Sequence, residues 1–176
     1  MEFQELFLDR RSIRKFTGEP IDEQTLEAIL TAAMYAPSAV NCQPWHFVVL
    51  DDRKVMDRIT EFHPHAGMLS HAPLAVVVCG DLNRQHGDGY WVVDCGAATE
   101  NILLAAHYLG IGACWVGLHP RDERKKSMSG LLGLPPHIQP FSLVVMGHPA
   151  ESRKRPDRFR PGLVRRNHWE HSFFRE

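Results

Sequence analysis

The chain has 176 residues, 44% hydrophobic and 23% charged, which suits one globular domain and excludes extended disorder or a second independent core. Twenty Lys and Arg against 21 Asp and Glu leave a formal charge of −1, so nothing global points to nucleic acid or a membrane surface. The longest apolar run, around Leu74 to Cys79, is too short to span a bilayer. No apolar stretch follows a basic start, so no signal peptide is expected.

The first clear helix follows Asp22, a good N-cap, with Leu26, Ile29, Leu30 and Ala33 at helical spacing and Pro37 ending it. APSAVNCQPW (36–45) reads as a loop, because its two prolines forbid regular structure across it. WHFVVL (45–50) and LAVVVCG (74–80) read as strands, with a short charged helix from about Arg53 to Glu61 between them. Both strand runs are apolar nearly throughout, as expected where both sheet faces are covered. The most apolar helix is expected from near Asp94 to Leu109. Gly96, Ala97 and Ala98 allow close approach there, and Gly110 stops it. GACWV (112–116) follows as a strand, then a charged helix from Asp122, then FSLVVMG (141–147) as the last strand. The fold class expected is α+β, a mixed sheet with helices on both faces. The tail ends in NHWEHSFF (167–174), and free display of Trp169, Phe173 and Phe174 is unfavourable. It is therefore expected to pack on another subunit.

Cys42, Cys79, Cys95 and Cys114 form no CxxC pair, which argues against a zinc ribbon or a thioredoxin-type motif and fits a reducing, cytoplasmic setting. His63, His65 and His71 lie close together, as do His168 and His171, but no thiol or carboxylate completes a ligand set, so no metal is expected.

Charge is uneven along the chain. RRSIRKF (10–16) packs Arg10, Arg11, Arg14 and Lys15 around Ser12, and the tail is also basic. Three readings of RRSIR stand side by side. One is a solvated helix end. A nucleic-acid patch is the second, but such readers interleave aromatics and carry a high pI, whereas here the pI is about 6.8. The third is a phosphate pocket, since charged hydrogen bonds are about twice as strong as neutral ones. Residues 10, 12 and 14 would share one side of an extended segment. No GxxxxGK[ST] and no GxGxxG after a strand competes for that role.

RRSIRKF followed by APSAVNCQPWHFVV resembles the FMN-dependent nitroreductase family. NILLAAHYLGIGACWVG (101–117), VVMGHPAE (144–151) and a basic tail ending RNHW are similar to that family's second half, so the resemblance spans nearly the whole chain. It implies a nitroreductase-like core over 1–150 and a C-terminal extension over 151–176, exchanged between the subunits of a homodimer. It implies that Arg10 and Ser12 bind the FMN phosphate with Arg11 beside them, and that Arg14 reaches the ribityl chain and the N1/O2 edge of the ring. Pro37, Ser38, Ala39, Asn41 and Gln43 would lie against the partner subunit's flavin. Trp115, Val116 and Gly117 would offer backbone amides to the N5/O4 side. Arg158 matches a second phosphate ligand, with Arg155 and Lys154 as alternates.

The activity implied is NAD(P)H-dependent reduction of a small acceptor, a nitroaromatic or quinone, with no side chain acting as acid or base. Alternatives are a flavin-dependent oxidative or dehalogenating enzyme on a small ring, and an FMN-binding protein without turnover. The Glu, Tyr and Lys lid of iodotyrosine deiodinases is not found, and no further flavin contact is placed between Glu61 and Asp94. Tyr90 and Trp91 are candidates to stack on the ring or simply to pack. Cys42 is a reactive thiol or a small hydrophobe.

Overall fold

The computed structural model describes residues 1–87 and 89–174. Four strands, β1 (Trp45–Leu50), β2 (Leu74–Asp81), β3 (Gly112–Gly117) and β4 (Ile138–Gly147), form a sheet in the spatial order β1-β2-β4-β3. Every pairing is antiparallel. The mixed sheet expected from the sequence is narrowed to this, with one parallel bridge between Ser12 and Ala113 at its edge. The β1–β2 and β3–β4 connections return to the end they left, whereas the chain from β2 to β3 crosses over through the intervening helix, since both strands run antiparallel to β4 between them. Leu50, ending β1, pairs with Ala75 near the start of β2, and the helix between them is followed by a 3₁₀ turn over Gly67–His71 that brings the chain back.

Helices cover both faces. The α1 helix (Phe3–Leu8) precedes α2 (Glu23–Met34), α3 (Arg53–Phe62), α4 (Tyr90–Tyr108) and α5 (Asp122–Leu132). Successive strand residues point to opposite faces. Val76 and Val78 of β2 meet Ile29 of α2 and Ile102 of α4, while Val77 and Cys79 meet Met56 and Ile59 of α3 and Met128 of α5. All eight residues of β2 are buried, which accounts for its unbroken apolar run.

The Asp22 side chain accepts the Thr25 N–H at 2.8 Å and opens α2 as the sequence suggests. The α4 helix begins four residues before the expected Asp94, at Tyr90, because Gly89 turns into it with φ 93°. Asp94 is thereby a buried residue inside the helix. The β4 strand begins three residues before Phe141; Pro140, which had hidden its start, sits where the register with β2 shifts between Val78 and Cys79. In the tail, β5 (Arg165–Arg166) and β6 (His168–Ser172) form a small hairpin turning at Asn167, with all of their residues exposed. Among the described residues no helix is long and apolar enough to cross a membrane.

Candidate functional site

The basic segment runs along the free edge of β3. The Ile13 N–H donates to the Ala113 carbonyl at 3.0 Å and the Thr17 N–H to the His148 carbonyl at 3.0 Å. Gly112 permits this approach: a Cβ there would meet Ile13 Cγ2 at 2.8 Å.

The four N-terminal site residues divide. Arg14 donates its backbone N–H to Glu151 at 2.6 Å, and its exposed side chain lines a groove. Ser12 sits on the bridge to Ala113, close to Cys114. Arg10 faces a neighbouring cavity of about 340 Å³ and pairs with Glu100 of α4 at 3.5 Å. Arg11 turns its guanidinium onto the carbonyls of Leu8, Arg10 and Lys154, so it holds backbone. Burial, with the cations Arg158 and Arg10 adding to it, presses the Arg11 pKa below the ordinary arginine value. Arg158 lines a third recess with Phe7, Leu8 and Phe159 and forms no ion pair among the described residues. Of its alternates, Arg155 is held by Asp9 through two bonds of 2.6 and 2.7 Å, and the carbonyl of Lys154 accepts from Arg11.

The groove lined by Arg14 has a volume of about 480 Å³. Cys114, Trp115, Val116 and Gly117 form one wall, His63, Pro64, His65 and Met68 another, with Arg124 beside them. Basic side chains surround it, and among the described residues no carboxylate lines it. Val116 is a core side chain, so only its backbone is available, and Trp115 packs against Phe141 with ring centroids 5.7 Å apart. A Cβ on Gly117 would meet nothing nearer than 3.8 Å, so packing within the chain does not demand glycine there.

The 36–43 loop lies on the other layer. Val40, Asn41 and Gln43 adopt φ of 44°, 59° and 48°, a conformation expensive for a β-branched residue. Cross-bonds hold it: the Asn41 N–H reaches the Ser38 carbonyl and the Gln43 N–H the Ser38 hydroxyl, each at 3.0 Å. The Ala39 N–H reaches buried Asp94 at 3.0 Å. Gln43 lines a separate cavity with Trp45 and Phe47, and Pro37 is exposed at the start of the loop. None of Pro37, Ser38, Ala39, Asn41 and Gln43 lines the Arg14 groove of the same chain.

Sequence reasoning missed His63, His65, Met68 and Arg124. Neither the HPHAG run nor the α5 sequence carries a spacing that points to β3; only the return of the chain after α3 brings them there. Among the described residues no three His, Cys, Asp or Glu side chains are grouped to hold a metal ion. Trp91 is buried against Phe141 and His119, while Tyr90 is exposed beside His86. Cys42 is half-buried, and burial pushes the Cys79 thiol up to about 12.

His63 is buried, and desolvation with Arg124 and His65 nearby holds its pKa below the usual 6.5. The unfolded chain therefore binds this proton more readily. Stability from this group is complete above pH 6.5 and falls as pH drops toward the folded value. His119, lowered mainly by burial, acts in the same direction. Denaturant unfolding across this range should show a decline on the acid side that His63→Gln makes shallower; an unchanged slope in that variant would contradict the assignment.

The Nitroreductase family model matches residues 8–64 and 63–148. The chain belongs to the nitroreductase family. It is 45% identical over 173 residues to a protein of Archaeoglobus fulgidus provisionally named an NADH dehydrogenase/NAD(P)H nitroreductase, covering 96% of this chain and 99% of that one. A solved structure with the same provisional name, from Parabacteroides distasonis, has a TM-score of 0.90 at 34% identity, with 94% and 97% of the two chains covered. The FMN-dependent nitroreductase of Clostridium difficile gives 0.86 at 27% identity, with 93% and 98% covered. This nitroreductase-family chain thus shares most of its architecture with these two solved structures.

Proposed function

We propose that the chain is an NAD(P)H-dependent FMN oxidoreductase that reduces small acceptors such as nitroaromatics or quinones. The observation that carries this reading is the groove along β3: among the described residues it is lined by basic groups and by no carboxylate, and about 480 Å³ suits a flat ring system. The names of its relatives support the same chemistry. When bound, FMN supplies two-electron transfer between the nicotinamide and the acceptor.

Arg14 is placed to stabilise negative charge on the ring and ribityl side, and Ser12 and Arg10 to hold the phosphate end. Arg10 and Arg158 each repel the Arg11 cation, and a phosphate beside them would relieve that repulsion. Arg11 acts through the backbone it braces. The open end of β3 offers its N–H groups to the ring. Proton supply is left to water and backbone, since no carboxylate among the described residues lines the groove.

The acting unit proposed is a homodimer in the cytoplasm, where a reducing medium suits four free cysteines. Tyr35 and Val40 at the loop, Val93 and Tyr108 on α4, and Trp169 in the tail are all exposed in the single chain, apolar side chains that a partner surface could cover. Pairing across a two-fold would cover them and bring Pro37, Ser38, Ala39, Asn41 and Gln43 to the partner's groove. The 1–150 core and the 151–176 extension are in this reading the parts that bind flavin and that embrace the partner.

Two half-reactions at one site give ping-pong kinetics. Double-reciprocal plots against NAD(P)H at several quinone concentrations should be parallel. Intersecting lines would mean a ternary complex and would exclude a shared site.

A further inference from the structure

The carbonyl oxygen of Gly117 is held from two elements at once. His63 Nε2 lies 2.9 Å from it and Arg124 Nη1 3.2 Å from it. A carbonyl oxygen only accepts, so Nε2 carries the proton and Nδ1 is the acceptor. The His65 backbone N–H fills that second role at 3.3 Å. The neutral imidazole is thus satisfied at both nitrogens, in a residue 1% exposed.

This arrangement acts on the edge strand. In an antiparallel ladder alternate residues direct both backbone groups at the partner. The Leu118 N–H donates to the Phe141 carbonyl at 3.2 Å, which sets the phase: Ala113, Trp115 and Gly117 turn their N–H and C=O away from β4. The Ala113 carbonyl is taken by the basic segment, through the Ile13 N–H at 3.0 Å. Beyond it the open edge consists of the backbone groups of Trp115 and Gly117, and both residues line the groove. With the Gly117 carbonyl occupied by His63 and Arg124, that end of the edge keeps its N–H donors and loses an acceptor.

We propose that His63 and Arg124 are positioning residues that cap the Gly117 carbonyl, so that the open end of β3 faces a bound flavin ring as a hydrogen-bond donor and favours its reduced, more negative state. The geometry belongs to the chain alone; the choice of ligand rests on the FMN reading above. Neutral donors aimed where negative charge collects stabilise it without reorganisation. An uncapped carbonyl in the same place would oppose it.

Two measurements test this. In the flavin-free protein, nitrogen NMR should find His63 neutral with its proton on Nε2, and still neutral below the usual 6.5. An Nδ1–H tautomer or ordinary titration overturns the cap. In protein loaded with FMN, affinities for oxidised and reduced FMN are compared across variants. His63→Phe should reduce the preference for reduced FMN about tenfold, equivalent to a fall of about 30 mV for a two-electron couple. Arg124→Met, on the surface helix α5, should move it in the same direction even if the phenylalanine variant fails to fold. His63→Gln, which keeps an N–H donor, should restore most of the preference. Equal weakening of both flavin states, or glutamine no better than phenylalanine, would show a merely structural histidine and overturn the proposal. Failure of the unmodified protein to bind FMN would instead overturn the proposed function, whereas an intact tautomer with an unchanged preference would overturn this inference alone.

Discussion

Replacing Arg14 by alanine is expected to weaken FMN binding by roughly one to two decades, the loss of one charged hydrogen bond worth about 1.5–3 kcal/mol. Arg14 is the basic-segment cation that lines the β3 groove, and its position is set by backbone, through Glu151 and the Ile13–Ala113 bond. The substitution should therefore leave folding intact and act on the ligand. Arg10→Ala should weaken binding in the same direction, because the cation also pairs with half-exposed Glu100 and leaves that carboxylate behind. Arg11→Ala should differ in kind: its guanidinium serves three backbone carbonyls, so thermal stability should drop along with affinity. Dilution of the flavin-loaded variants, followed by fluorescence of released FMN, separates the cases. Full occupancy in both Arg10→Ala and Arg14→Ala would remove the basic segment from the flavin site.

Removal of the tail from Arg153 onward should abolish FMN retention and dimer formation together. The tail leaves the core along the N-terminal segment, tied by Arg155 to Asp9 and by the Lys154 carbonyl to Arg11, and then extends with nearly all of its residues exposed. Trp169 is 79% exposed and Leu163 82%, while the β5–β6 hairpin pairs only with itself among the described strands. A segment of this kind gains apolar burial only on a second surface. An obligate two-fold interface typically buries more than about 2,000 Å², and the tail with the α4 face offers the means. Sedimentation of the intact, FMN-loaded protein should show twice the chain mass of 20.0 kDa. A stable single-chain species that still holds FMN and turns over would contradict the shared site, as would a truncated chain that remains dimeric and yellow.

Much of this architecture was legible residue by residue. Asp22 announced α2 because a carboxylate cap needs only local geometry, and the unbroken apolar run of β2 announced a strand buried on both faces. The start of α4 was not legible, since it depends on Gly89 turning the chain ahead of a tryptophan that the core claims. Pro140 concealed three residues of β4 because a bulge, a property of two strands, accommodates it. Strand direction was likewise out of reach, as it depends on where each connection returns.

The candidate site divides along the same line. RRSIRKF was visible as a cluster of charge, but its division into a groove-lining Arg14 and a backbone-bracing Arg11 is tertiary. His63 and Arg124 lie 61 positions apart in the sequence and converge on one carbonyl only after folding. Sequence alone could treat the histidine as a metal candidate and discard it, with no means of seeing the oxygen it serves.

The visible absorbance of the purified protein, reconstituted with FMN and recorded without oxygen before and after addition of NADH or NADPH, decides whether the chain holds a flavin that nicotinamide reduces. Flavin bands are expected at one FMN per chain, bleached by at least one of the nicotinamides and restored by a quinone or nitroaromatic. A protein that stays colourless after FMN is supplied, or one whose bound FMN neither nicotinamide bleaches, would contradict an NAD(P)H-dependent FMN oxidoreductase.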